Sequence, residues 1–169
     1  KDDMGELTLN VAKLYLEKLR ELLSYGDISD CKIEEGSMRA DANVSIRKSL
    51  DEPFGTKAEI KNIGSISNVG LSIQKEIERQ AKLYDAGETF KPQTRRFDDK
   101  LQDTVLMRVK ETGNDYRYFP EPDLVAINLS EEYIENIKNN LPELPESRKK
   151  RYMEEYNLYA NKTPIIIPL

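Results

Sequence analysis

The sequence contains no histidine and no tryptophan, a single cysteine and no long apolar run. Without imidazole, the chain excludes a Ser-His-Asp or Cys-His nucleophile system, an HExxH zinc site and a histidine proton relay built from its own residues. Cys31 alone builds neither a disulfide framework nor a CxxC metal site. Such usage fits a reducing cytosol, and the thiol reads as a small inert hydrophobe in or near a strand. No stretch approaches the ~20 apolar residues of a membrane helix, and the opening KDDMGELTLN lacks a charged-then-apolar leader, so a cytoplasmic protein with no membrane partner is expected. Neither GxxxxGK(S/T) nor GxGxxG occurs, so a nucleotide site must work through a metal and cationic side chains.

What remains is a globular composition of 169 residues, 38% hydrophobic and 34% charged, long enough for a real core. With 26 basic against 31 acidic residues the net charge is -5, which argues against a general nucleic-acid coat and against DNA as partner, while a local basic face can still hold phosphates. Position 1 is not methionine, and the expectation is a piece of something larger.

Residues 9–25 predict an amphipathic helix with Val11, Leu14, Leu19, Leu22 and Leu23 facing the core, Thr8 or Asn10 as cap and Gly26 just past the end. From Cys31 to Arg47 the period changes to two. Met38, Ala40, Ala42, Val44 and Ile46 fall on one face and Arg39, Asp41, Asn43, Ser45 and Arg47 on the other. TKAEIKN alternates again after the turn-rich SLDEPFG, and the two segments read as a long hairpin. A second helix is predicted over 66–86, with Val69, Ile73, Ile77 and Tyr84 near one stripe and Gly87 ending it. QTRRFDD and TVLMRVKE are strand candidates joined by a KLQD turn, and NDYRYFPEPDL is a third, stopped by its prolines. Ser130 with Glu131 and Glu132 starts a helix, Pro142 and Pro145 break that run, and ESRKKRYMEEYNLY forms another. The expected fold is α+β, an antiparallel sheet with packed helices over 1–128 followed by a small helical segment over 129–169.

Directly opposed residues of the hairpin must share a face, and the intervening loop makes 102 the natural sum of paired numbers. Asp41 then faces Lys61, Asn43 faces Glu59 and Ser45 faces Lys57, with the Asp41 and Glu59 Cβ atoms about 7–8 Å apart on the diagonal. A hard cation such as Mg²⁺ uses one or two carboxylates, several waters and the phosphates of its substrate. Asp41 and Glu59 suit it, and Arg39, Lys57 and Lys61 suit the phosphates of a nucleotide. The same alternation equally describes a half-solvated sheet face whose ion pairs do nothing chemical, and Arg95, Arg96, Arg108, Lys110 and Arg117 read the same way.

EEGSMRADANVSIR, FGTKAEIKN, QTRRFDD, LMRVKE and NDYRYFPEPDL, in this order and with these gaps, closely resemble the B subunit of the glutamine-dependent aspartyl/glutamyl-tRNA amidotransferases, over about Leu14 to Leu158. The resemblance implies the later part of a glutamine synthetase-like catalytic domain, lacking an opening part that contributes a histidine and acidic residues. It implies ATP and Mg²⁺ as cofactors and phosphorylation of the side-chain carboxylate of Glu or Asp misacylated on tRNA. Ammonia released from glutamine by the A subunit then forms the amide. The A and C subunits of the amidotransferase and the misacylated tRNA are the implied partners, and a fragment alone is expected to be inactive. Carried onto this chain, Glu59 and Asp41 become the catalytic carboxylates and the metal ligands, with Glu59 the better ligand. Asn43 lines the same pocket, and Arg39, Lys61, Arg96 and Arg117 are the phosphate or substrate contacts. Ala40 stands where the family often has Cys, on the inward face, Gly64 replaces an Asn after the KN pair, and the terminal KTPIIIPL has no counterpart. A reading of another class is a module that binds tRNA or a partner protein of the complex without chemistry, using the RKKR run at 148–151.

Overall fold

A computed structural model describes residues 3–110 and 122–157. Their elements run α1 (Asp3–Tyr25), β1 (Ala42–Val44), β2 (Ala58–Lys61), α2 (Ile66–Asp85), β3 (Gln93–Asp98), β4 (Asp103–Val109), α3 (Glu131–Asn139) and α4 (Pro145–Tyr156). The chain divides into two compact units, one of Lys1–Leu19 and Cys31–Tyr116, the other of Arg20–Asp30 and Arg117–Leu169.

The first unit is built on one four-stranded sheet in the order β1-β2-β3-β4. The pairing of β1 with β2 is antiparallel, with Ala42 opposite Ile60, Asn43 opposite Glu59 and Val44 opposite Ala58, the register expected from the loop length. The sheet as a whole is mixed rather than antiparallel, because β2 and β3 run parallel. A parallel pair needs a crossover connection, and α2 supplies it between those two strands. The β3–β4 pair is antiparallel again, with a bulge at Thr94/Arg95.

The hairpin is shorter than the alternating pattern foretold: β1 holds three residues. Beyond Val44 a side chain replaces a strand, for Gln80 of α2 donates to the Val44 carbonyl (3.1 Å) and accepts from the Ile46 amide (3.2 Å). Its amide thus presents the two groups that a neighbouring peptide would. Pairing resumes once at Gly55, whose N–H donates to the Ile46 carbonyl at 2.9 Å. A Cβ at Gly55 would lie 2.8 Å from that carbonyl oxygen and collide with the Tyr84 hydroxyl, so the close approach requires glycine.

Val44, Ile60, Ile63, Val69, Ile73 and Phe97 form the core, with Leu9, Ala12, Leu16, Ala40, Ala42, Leu71 and Ile77 packed against it. The α2 stripe is the expected one. On α1 the inward residues are instead Leu9, Ala12 and Leu16, while Val11 (56% exposed), Leu14 (54%) and Leu22 (44%) face outward. This helix is apolar on two sides, and periodicity cannot choose between them. It also begins earlier, at Asp3, so Thr8 and Asn10 lie inside it rather than capping it. Cys31 is buried, but in a turn segment with φ +51° rather than in a strand.

The ends of the helices follow local chemistry. Ser65 accepts from the Asn68 amide to cap α2, and Gly87 (φ +73°) closes it with the Glu88 N–H on the Leu83 carbonyl at 2.8 Å. At the end of α1, within the second unit, the left-handed residue is not Gly26 but Asp27 (φ +55°), with Ile28 N–H donating to the Leu23 carbonyl at 2.9 Å. Also in that unit, the Ser130 hydroxyl caps α3 through the Tyr133 amide as expected. The run begun at Ser130 ends at Asn139 and the next helix starts at Pro145, so the break falls where expected, and Pro145 itself opens α4, where its missing N–H costs nothing. Most of the strand expected in NDYRYFPEPDL, Arg117 included, lies outside the described residues.

Candidate functional site

The two faces of the sheet part the chemistry. Ile60 and Phe97 turn to the core beneath α2, and the alternate residues turn away. Across that outer face the register lines up Asn43, Glu59, Thr94 and Arg108, one from each strand, with Lys61 opposite Arg96 in the neighbouring row.

Glu59 is the centre of this face. Its Oε2 accepts from Lys110 Nζ at 2.8 Å and from the Thr94 hydroxyl at 3.3 Å, while Lys61 Nζ stands 3.5 Å from Oε1. Lys110 reaches it because its backbone N–H donates to the Pro92 carbonyl at 2.7 Å, continuing the sheet past the end of β4. The hydrogen bond from Lys110 holds the Glu59 carboxyl below the usual carboxylate range, against the opposing pull of burial and with the help of the Lys61 charge. The carboxylate is therefore ionised and covered by two ammonium groups.

Asp41 sits one residue before β1, and its carboxylate is gripped bidentately by Arg39 at 2.8 and 3.2 Å. The expected Asp41–Lys61 pairing is thus divided into Arg39–Asp41 and Lys61–Glu59. Arg96 pairs with Asp98 at 3.0 Å on its own strand. The strands bring Asn43, Glu59, Lys61 and Arg96 together, and Arg39 and Asp41 form a separate ion pair beside them.

Sequence reasoning passed over the groups that hold this face in place. Lys110 and Arg108 were legible only as surface strand residues, since their relevance rests on the pairing of β4 with β3. The polar stripe of α2 was a missed signal: Ser72, Glu76 and Gln80 fall at helical spacing within the apolar stripe and are wholly buried. Glu76 binds Arg79 bidentately at 2.6 and 2.9 Å, stands 3.4 Å from Arg95 Nε and accepts from Gln80 at 2.8 Å. Arg95 donates onward to the Thr104 hydroxyl and carbonyl. Burial and the charge of Arg79 push the Arg95 guanidinium below its ordinary value, and Glu76 counters them. Tyr84, one turn past Gln80, takes the Thr56 amide at 3.1 Å. These buried polar groups satisfy one another and tie α2 to the hairpin and to the outer strands.

Among the described residues no three His, Cys, Asp or Glu side chains gather as a metal site. Glu59 with Asn43 opposite offers one carboxylate and one amide, which fits a hard cation that keeps waters and takes the rest of its shell from phosphate. Asp41, engaged by Arg39, needs that guanidinium to release it before it can join.

In the second unit, Glu143 is bound by Arg151 and Arg148, and the bond from Arg151 foremost draws its carboxyl down to about 2. The outer pair of the RKKR run thus shares one carboxylate, Arg151 also pairs with Glu155 at 3.0 Å, and Arg148 lies 5.0 Å over the Tyr25 ring. No helix of the described residues is long and apolar enough to cross a membrane.

Comparison with known proteins bears on what such a face belongs to. The family model described as the GatB/GatE catalytic domain matches residues 6–135. The B subunit of the aspartyl/glutamyl-tRNA(Asn/Gln) amidotransferase from Lysinibacillus sphaericus is 52% identical over 160 residues, 95% of this chain and 34% of the relative. Those of Geobacillus thermodenitrificans and Halalkalibacterium halodurans are 49% and 50% identical over 87% and 88% of this chain, each over 31% of their own length. The chain therefore spans about a third of the length of these curated relatives. A match over residues 6–135 that takes in the whole sheet and its outer face, with half of the residues identical to a curated relative, makes this chain a member of the GatB/GatE catalytic domain family.

Proposed function

We propose that this chain is part of the protein that activates the side-chain carboxylate of Glu-tRNA(Gln) or Asp-tRNA(Asn) for amidation, in a cytoplasmic complex with the A and C subunits of the amidotransferase. ATP, bound with Mg²⁺, would supply the phosphoryl group that converts the carboxylate to an acyl phosphate and releases ADP, and ammonia would then displace the phosphate. The residues of this chain bind and orient. Glu59, with Asn43 opposite and Asp41 once freed, holds the cation; Lys61 and Arg96 neutralise phosphate oxygens, with Arg39 and Arg117 as further contacts. Catalysis of phosphoryl transfer is mostly positioning and charge stabilisation, so a carboxylate flanked by cations suits this share of the work.

The observation that carries the reading is the single row across four strands that sets Asn43, Glu59, Thr94 and Arg108 side by side, ringed by Lys61, Arg96 and Lys110. The alternative of a tRNA-gripping RKKR patch has no comparable convergence across several strands: Arg148 and Arg151 meet in a local ion cluster around Glu143. Calorimetric titration of the chain with ATP and Mg²⁺ tests the proposal. Metal-dependent nucleotide binding is expected, weakened by about tenfold or more in Glu59→Gln. Salt-sensitive tRNA binding indifferent to that substitution, without nucleotide binding, would favour the module instead.

A further inference from the structure

We infer that Lys110 and a divalent cation compete for the same carboxylate, Glu59, so that metal entry frees the Lys110 ammonium for the phosphates that arrive with it. The inference rests on the metal reading proposed above and adds a residue and an order of events to it.

Both Glu59 oxygens are already engaged. Oε2 takes Lys110 at 2.8 Å and Thr94 at 3.3 Å, and Oε1 has Lys61 at 3.5 Å. A metal ion bonded to Oε2 at ~2.0–2.1 Å occupies the space on which the ammonium now lies, and like charges that close repel strongly at any protein dielectric. One cation must leave. Lys110 is the one built to do so: its side chain is 35% exposed, and a flexible four-carbon stem carries a point charge back into water at little cost. Lys61, on the strand of Glu59 itself and less exposed at 27%, keeps its looser contact.

The buried glutamate of α2, Glu76, shows the opposite construction. Glu76 has no solvent exposure and is fixed by the planar fork of Arg79 and by Arg95, permanent cations in a closed network. A permanent partner there and an exchangeable one at Glu59 is the difference expected between a structural carboxylate and one that must accept a visitor. Once displaced, the Lys110 ammonium remains tethered within a side chain's length of Glu59, where the anionic cargo of the metal would lie.

The test uses Mn²⁺ as probe, read by electron paramagnetic resonance, and ATP binding read by calorimetry, on the 169-residue chain and its variants. Lys110→Met is expected to bind Mn²⁺ about fivefold to tenfold tighter and ATP with Mn²⁺ weaker by a similar factor, while Lys110→Arg keeps its Mn²⁺ affinity near that of the parent. Thermal unfolding run in parallel separates folding from binding. If Lys110→Met lowers the melting temperature and leaves both affinities unchanged, the pair is structural and the exchange is overturned. Mn²⁺ binding that persists in Glu59→Gln, or is absent from every variant, removes the metal reading itself and the exchange with it.

Discussion

Asp27 shows how a single backbone angle is enforced by its neighbours. It holds φ +55° at the end of α1, a position where glycine is at ease and other residues are strained, because the Ile28 and Asp27 amides must close on the Leu23 and Ser24 carbonyls. Asp27→Gly relieves that strain and is expected to stabilise the chain by about 0.5–1 kcal/mol, read as a raised midpoint in urea; an unchanged or lower midpoint would show that the aspartate side chain repays its own strain. Glu59 differs in kind, since its surroundings set a charge rather than an angle. Lys110, Lys61 and Thr94 all converge on one carboxylate that would otherwise be poorly solvated at 20% exposure. A lone alternation of residues around 59 announces a polar face, but not that its centre is so heavily countered.

Among the elements, α2 does the most to position the site, and by polar means. Glu76, Gln80 and Tyr84 recur every fourth residue, and the latter two hold the hairpin by Val44, Ile46 and Thr56. Gln80→Leu fills the volume but leaves the Val44 carbonyl and Ile46 amide without partners. It should cost about 2–4 kcal/mol in chemical denaturation, and a loss under about 0.5 kcal/mol would mean that β1 does not depend on this clamp. The sequence made the α2 boundaries, the hairpin register, the KLQD turn and the Ser130 cap legible, because each is set by residues close together or by strict alternation. It hid the inward face of α1, where two apolar stripes compete, and the parallel β2–β3 pair, which only the crossover through α2 determines. Of the site, Glu59, Asn43, Lys61 and Arg96 could be placed on one face in advance. Lys110 could not, because its contact spans 51 positions of sequence.

At the scale of the molecule, charge couples folding to acidity. The carboxyls of Glu59, Asp98 and Glu143 all lie below their ordinary range, held respectively by Lys110, by the Leu101 amide and by Arg151 as the foremost causes. A carboxyl depressed on folding adds stability above its unfolded value, near 4.5 for Glu143, and loses it as pH falls through the folded value of about 2. The difference in melting temperature between the parent and Glu143→Gln should therefore be constant above about pH 5 and shrink towards zero near pH 2. A gap that stays constant, or widens on acidification, would contradict the Arg151–Glu143 assignment. The parallel pair at the heart of the sheet has a larger consequence. Asn43 and Glu59 come from one hairpin, but Thr94 and Lys110 reach them only after an entire helix has crossed over. No short peptide excised around either carboxylate can reproduce the arrangement, and a partly unfolded chain loses it all at once. The metal affinity proposed for Glu59 would accordingly gauge whether the two central strands have met.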